Sequence, residues 1–104
     1  MLFRILKMQV RPDRIAEWLA FTRDVGFPGM LSQPGCQAIW RLRGQGSGQG
    51  SATDFHVMTQ WASAADLERF NAGEAKRELS AAAAGLTIAP TTETLFEVVD
   101  DPAR

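Results

Sequence analysis

The order of secondary-structure signals along the chain, β-α-β-β-α-β, predicts an α+β fold in which an antiparallel four-stranded sheet carries its helices on one face. Three observations lead to this prediction. Residues 54–70 alternate as a strand as far as Trp61 and then take helical periodicity. A stretch with helical spacing separates the first two predicted strands. The run 44–52, GQGSGQGSA, joins the second strand directly to the third, which is typical of a hairpin connection.

The first strand is predicted over residues 2–10. Its two faces are both apolar, with Phe3 and Ile5 on one, and Leu2, Leu6, Met8 and Val10 on the other. A strand that is apolar on both faces is usually covered on both. A helix is predicted to begin at Pro12, because proline is tolerated in the first turn. Glycine and proline at 26–29 are predicted to interrupt it, and a short piece, 30–33, follows.

The central hairpin is predicted from two alternating segments. In 36–43, one face carries Cys36, Ala38, Trp40 and Leu42, and the other carries Gln37, Ile39, Arg41 and Arg43. In the third strand, one face carries Phe55, Val57, Thr59 and Trp61, and the other carries His56, Met58 and Gln60.

The second helical region follows at once. Ser63 and Asp66 have the spacing of a capping box, so a helix is predicted to begin there. A break is predicted at 71–73, and a second helical piece, 74–84, is predicted to end at Gly85. The last strand is predicted over 91–99.

These elements predict a single ferredoxin-like domain over residues 1–104, with a frayed tail at 100–104. Two helical regions cover only one sheet face, although the first and third strands are apolar on both. We therefore expect a homodimer in which two sheets pack face to face.

Composition excludes several classes of protein. The formal net charge of −1 gives no reason to expect nucleic acid or an anionic membrane as a partner. No stretch approaches the roughly 20 apolar residues of a membrane helix, and the N-terminal segment has no signal-peptide cleavage site. The single cysteine, Cys36, cannot form an intrachain disulfide and suits a reducing cytoplasm. Without a Cys/His cluster, no metal site is expected.

Two motifs carry a resemblance to a known family. Pro34-Gly35-Cys36 precedes the second strand, and VMTQWASAADLERF, residues 57–70, spans the end of the third strand and the start of the next helix. With these motifs the chain resembles the antibiotic biosynthesis monooxygenase superfamily of dimeric α/β-barrel proteins. The resemblance implies that fold. It also implies one of several activities, including cofactor-independent oxygenation of polycyclic phenols, quinol oxygenation and haem degradation.

Two departures from the sequence pattern of this family reduce the number of expected activities. Polyketide monooxygenases of the family have an asparagine four residues before the strand tryptophan, where this chain has Val57, which cannot hydrogen-bond a phenolate. The haem-degrading branch requires a histidine on the second helix, whereas His56 lies on a strand. Haem degradation is therefore not expected.

Four residues are candidates for substrate binding, each with a structural alternative. Trp61 could form a pocket wall that stacks on a flat ring, with Val57 on the same strand face, or it could be a core aromatic. Asn71 could reach the pocket or cap a helix. Arg41, with its neighbour Arg43, could anchor a phenolate or lie in solvent.

No catalytic residue can be named from these patterns. His56 could be a general base, but alternation places it opposite Trp61, which favours a structural histidine in the dimer interior.

The resemblance, together with Trp61 and the aromatic-rich core, implies an oxidoreductase that binds a flat aromatic phenol or quinol and needs no cofactor, because the deprotonated substrate itself reacts with oxygen. The alternative is a dimeric barrel that only binds a small aromatic ligand, or an isomerase or lyase on the same scaffold.

Overall fold

The computed structural model of the chain describes residues 1–44, 54–88 and 91–100. The predicted hairpin connection 44–52 lies outside the described residues apart from Gly44, as does the tail beyond Asp100. Within these residues the strands are β1 (Leu2–Gln9), β2 (Cys36–Leu42), β3 (Asp54–Trp61) and β4 (Thr92–Glu97). The α-helices of the same residues are α1 (Ile15–Phe21), α2 (Phe27–Leu31), α3 (Ala64–Asn71) and α4 (Glu74–Ala83).

The sheet has the order β2-β3-β1-β4 with antiparallel neighbours, so the predicted ferredoxin-like arrangement is confirmed. Strand β1 lies at the centre. Its residue Leu6 pairs with Val57 on one side and with Glu93 on the other. Paired residues point to the same face of a sheet. These three side chains therefore belong to one face, the face that the helices cover.

The first helical region departs from the prediction at residues 26–29, where a break was expected. The chain instead stays helical, through a π-helical turn at Thr22–Gly26 that leads directly into α2. Pro28 lies in the first turn of α2, directly after the π-turn, and proline is tolerated at this position of a helix. A π-turn widens a helix locally, and such turns are frequent at functional sites.

Strand β2 also departs from the predicted alternation. A register shift between Cys36 and Ala38 marks a β-bulge. Because of it, Cys36 does not share a face with Ala38 and Trp40, and it packs against the buried cluster around Trp61. Ile39 and Arg41 pair with Thr59 and Val57, so they also lie on the helix-covered face.

The core lies between the sheet and the helices and has two parts. One is built around Trp18, whose ring centroid is 4.6 Å from that of Phe55, and the other around Trp61 and Phe70, 5.4 Å apart. The predicted alternation of β3 is confirmed, since Phe55, Val57, Thr59 and Trp61 are all buried.

The opposite sheet face, here called the open face, has an apolar central part and carries no helix among the described elements. Its side chains include Phe3, Ile5, Ala38, Trp40, Leu42, Met58 and Phe96. Trp40 is 40% exposed and Phe96 is 52% exposed. Within the described ranges, no helix is both long and apolar enough to cross a membrane.

Candidate functional site

A cavity of about 320 Å³ lies between the helix-covered face of the sheet and the helices. This volume is at the lower end of the range for small-molecule sites. The sheet and its flanks contribute Arg4, Leu6, Met8, Ile39, Val57, Thr87, Thr91 and Glu93. The helical segments contribute Trp18, Phe21, Thr22, Gly26, Phe27, Met30, Phe70, Lys76, Leu79, Ser80, Ala83 and Ala84. The lining is mainly apolar and contains four aromatic rings, which suits a flat hydrophobic ligand.

The π-turn contributes directly to this lining. Thr22 is buried, and its hydroxyl donates to the carbonyl oxygens of Trp18 and Leu19 at 3.0 and 3.1 Å. These bonds satisfy the hydroxyl, so the turn can present Thr22 and Phe27 to the cavity without a free buried donor.

Arg4 is the most deeply buried of the charged residues that line the cavity. It lies on β1, between Leu2 and Leu6 on the helix-covered face, and is only 3% exposed. Its Nη1 donates to Oδ1 of Asn71 at 3.3 Å. Its Nε is buried and has no hydrogen-bond partner among the described residues. Because Arg4 also contributes to the lining of the cavity, its guanidinium is a candidate partner for a ligand oxygen.

Aromatic rings hold this guanidinium. Its central carbon lies 5.9 Å from the centroid of the Trp61 ring and 5.5 Å from that of Phe70. Burial lowers the pKa of Arg4, while the nearby Glu93 and Cys36 act to raise it. An arginine keeps its charge at neutral pH in spite of such a shift. The cavity therefore contains a fixed positive charge with little water around it.

Two further charged groups line the same cavity. Glu93, on β4, places Oε2 3.7 Å from Nη1 of Arg4, and its side chain is 38% exposed. Lys76 and Ser80 lie one turn apart on α4 and also contribute to the lining. The polar groups are thus few and are set among apolar walls, which is the usual composition of a selective ligand site.

The structure places Trp61 and Val57 on the same face of β3, as the alternation predicts. Val57 contributes to the lining. Trp61 is fully buried beneath Arg4, and its Nε1 donates to Oγ1 of Thr59 at 3.0 Å. Its indole ring packs against the guanidinium of Arg4. Direct contact of either residue with a substrate stays a prediction.

Asn71 and Arg41 lie in different surroundings. Asn71 ends α3 and holds the guanidinium of Arg4, so it belongs to the site through that contact. Arg41 donates through Nη1 to the carbonyl of Leu19 and to Oγ1 of Thr22, at 3.0 and 3.1 Å, and lies over the Phe27 ring. It therefore ties β2 to the helices behind the lining. A role for either residue in binding substrate also stays a prediction.

His56 is half-buried and belongs to the open face, opposite Trp61, as expected.

Sequence reasoning missed Arg4 and Glu93. The signal for Arg4 was available, because a lone arginine in the apolar run LFRILKMQV alternates with Leu2 and Leu6 and so must be buried with them. The signal for Glu93 was weaker, since a glutamate in an edge strand usually lies in solvent. Their proximity depends on the register of β1 with β4, which sequence alone does not provide.

No group of three or more His, Cys, Asp or Glu that could hold a metal ion occurs within the described parts of the chain. The chemical groups assembled at the cavity are a buried cation, a carboxylate and aromatic walls. Such a set can bind a flat ring, stabilise an oxyanion and accept a proton.

Comparison with known proteins gives the following. The sequence model of a family described as antibiotic biosynthesis monooxygenase matches residues 1–82. An antibiotic biosynthesis monooxygenase of known structure superimposes with a TM-score of 0.75 at 21% identity, over 96% of this chain and 100% of that one. A Nitrosomonas europaea protein of unknown function has a TM-score of 0.75 at 20% identity, over 96% of this chain and 90% of that one.

The cofactor-independent oxygenase SnoaB of Streptomyces nogalater, in an asparagine-to-alanine mutant form, has a TM-score of 0.75 at 14% identity, over 99% of this chain and 97% of that one. At these identities the likeness to solved structures concerns the fold. The sequence matches no curated protein at a significant level.

Proposed function

The chain belongs to the antibiotic biosynthesis monooxygenase family, and from this premise we propose that it is a cofactor-independent monooxygenase acting on a flat aromatic phenol or quinol. The substrate ring would lie in the cavity between Val57, Phe27 and Phe70. Its oxygen would lie against the guanidinium of Arg4.

The reaction needs no reductant besides the substrate. A quinol and one molecule of oxygen give a hydroxyquinone and water, so the substrate supplies all four electrons. Its reactive form is the anion formed when a ring hydroxyl loses its proton, because that anion is the better electron donor. The protein has to bind the ring, exclude water and stabilise the negative charge on oxygen.

The observation that carries this proposal is the buried, incompletely satisfied guanidinium of Arg4 in the lining of an aromatic cavity. A cation in water-poor surroundings stabilises an oxyanion far more than the same cation in bulk water. Arg4 can therefore donate hydrogen bonds to a phenolate oxygen, which Val57 cannot do.

The proposal includes a homodimer that forms through the open face. Its exposed Trp40 and Phe96, together with Met58, form an apolar surface that a second copy of the sheet would cover. A cytoplasmic location stays a prediction from the single cysteine.

Oxygen consumption with a panel of naphthalene quinols and anthrones tests the activity. We expect uptake of one oxygen molecule per substrate molecule without added cofactor, and a product that carries one ¹⁸O atom from ¹⁸O₂ and has two hydrogens fewer than the substrate. If every panel member quenches tryptophan fluorescence but none causes oxygen uptake above the buffer rate, the protein is a ligand-binding barrel and the proposed reaction is rejected.

A further inference from the structure

Glu93 has a position that the family assignment does not explain. It lies on β4, beyond residues 1–82, which are the residues that the family model matches, so the family assignment does not include it. The register with β1 sets it beside Leu6 on the helix-covered face, where it lines the cavity together with Arg4. A carboxylate in a mainly apolar ligand site is chemically specific, because it can accept hydrogen bonds but cannot donate them.

The charged groups of Arg4 and Glu93 are close together but do not form a direct hydrogen bond. Oε2 of Glu93 and Nη1 of Arg4 are 3.7 Å apart, which is too long for a direct hydrogen bond. A ligand oxygen on the cavity side of this pair could contact both atoms, at about 2.9 Å from the nitrogen and about 2.7 Å from the carboxylate oxygen, as the third corner of a triangle whose base is the 3.7 Å separation. Such an oxygen must accept from Arg4 and donate to Glu93. A hydroxyl group does both, whereas a ketone or an ether oxygen only accepts.

We infer that Glu93 determines specificity for a ring that carries a free hydroxyl group, and that it accepts the proton of that hydroxyl. This inference rests on the proposed function and adds to it the substrate group that is recognised. The O–H bond breaks, the proton passes to Oε2 of Glu93, and the electron pair stays on the substrate oxygen beside Arg4.

Ligand binding without oxygen tests the recognition. We expect the parent protein to bind 2-naphthol about 10- to 100-fold more tightly than 2-methoxynaphthalene in calorimetric titrations. In Glu93→Leu this preference should vanish. Glu97→Leu is the matched control, because Glu97 lies on the same face of the same strand, beside Leu2 and outside the lining, and it should keep the preference.

Glu93→Gln separates recognition from proton transfer. The glutamine oxygen still accepts a hydrogen bond from the hydroxyl, so the preference for 2-naphthol should persist. Because an amide cannot take the proton, kcat for 1,4-dihydroxynaphthalene should fall about 100-fold with little change in KM. A more acidic, halogenated quinol that is ionised at the assay pH should recover most of the loss.

Several results would overturn the inference. One is that the parent protein binds the two naphthalenes with equal affinity or binds neither of them. Another is that the preference for 2-naphthol is unchanged in Glu93→Leu, or that kcat is unchanged in Glu93→Gln. The proposed reaction fails separately. If oxygen uptake is absent while the hydroxyl preference depends on Glu93, the reaction is wrong and the hydroxyl site stands.

Discussion

The guanidinium of Arg4 lies over the indole ring of Trp61, with its central carbon 5.9 Å from the ring centroid. The ring of Phe70 also packs against this cation, and Asn71 accepts a hydrogen bond from it. These contacts fix the charge in place before any ligand arrives. A fixed charge stabilises an oxyanion without first having to reorganise, which is the main requirement of this type of catalysis.

Replacing Arg4 by methionine should separate function from stability. Methionine fills similar space without a buried charge, and removing a buried charge in this way is often neutral for folding. We expect a melting temperature within about 5 °C of the parent. Affinity for 2-naphthol should fall at least about tenfold, and affinity for unsubstituted naphthalene should not change.

Arg43→Met is the control for this experiment, because Arg43 also lies over an aromatic ring, at 4.7 Å from the centroid of Phe55, but is outside the cavity lining. It should leave both affinities unchanged. If Arg4→Met binds 2-naphthol as well as the parent does, Arg4 is not the oxygen partner.

The site could be predicted only in part from the sequence, and the reasons are physical. The period of two in β3 identified Val57 and Trp61 as one buried face, because alternation is a local property of the chain. The bulge after Cys36 reversed the face of that residue, and nothing in the residues around it marks the extra position.

The helical regions also differ in whether local or long-range contacts determine their structure. The break at 71–73 and the capping pair of Ser63 and Asp66 were predictable, because capping depends on neighbouring residues. The π-turn at Thr22–Gly26 was not, since its stability comes from packing that includes Arg41 on a strand 19 residues away from Thr22. The juxtaposition of Arg4 and Glu93 likewise arises from pairing of the first and last strands.

Gly35→Ala should destabilise the fold. Gly35 has φ of +84°, where residues with a side chain are strained, and an added Cβ would overlap the side chain of Asp66. Displacing Asp66 would also disturb its contacts with Ser63 and Arg69. We expect the free energy of unfolding to fall by about 1–3 kcal/mol in chemical denaturation.

Gly85→Ala is the matched control, since an added Cβ there meets no atom within 4 Å. It should be neutral or slightly stabilising, because alanine restricts the unfolded chain. Equal effects of the two substitutions would show that neither the positive φ nor Asp66 constrains position 35.

The thiol of Cys36 should react slowly with iodoacetamide in the native protein. Burial raises its pKa, and the positive charge of Arg4 offsets only part of that rise. The alkylation rate should therefore reach half its maximum at a higher pH in the native protein than in the unfolded chain. The raised pKa favours the folded state below the pKa of the unfolded thiol, and this contribution is lost as pH rises through the folded value.

In Arg4→Met the midpoint of Cys36 alkylation should move to still higher pH, because the nearby cation that lowers the pKa is gone. A midpoint equal to that of the unfolded chain would show that the native thiol is not protected by burial.

Met58→Asp should prevent both dimer formation and folding. Met58 lies at the centre of the open face, paired with Ile5 on one side and with Trp40 on the other. Covering this face with a second sheet would bury an obligate-type interface of about 2,000 Å² or more in total. A carboxylate there would lose its water among the apolar side chains of Ile5 and Trp40, and a lone monomer would expose too much apolar surface. Sedimentation and circular dichroism measure the two effects.

Ala64→Asp adds the same charge at the first turn of α3, where an acid favours the helix dipole, so it should leave a folded dimer. The parent should sediment as a dimer at micromolar concentration, with a melting temperature that rises with concentration because association stabilises the folded state. A parent chain that sediments as a stable folded monomer, or a Met58→Asp variant that stays dimeric, would show that the open face is not the dimer interface.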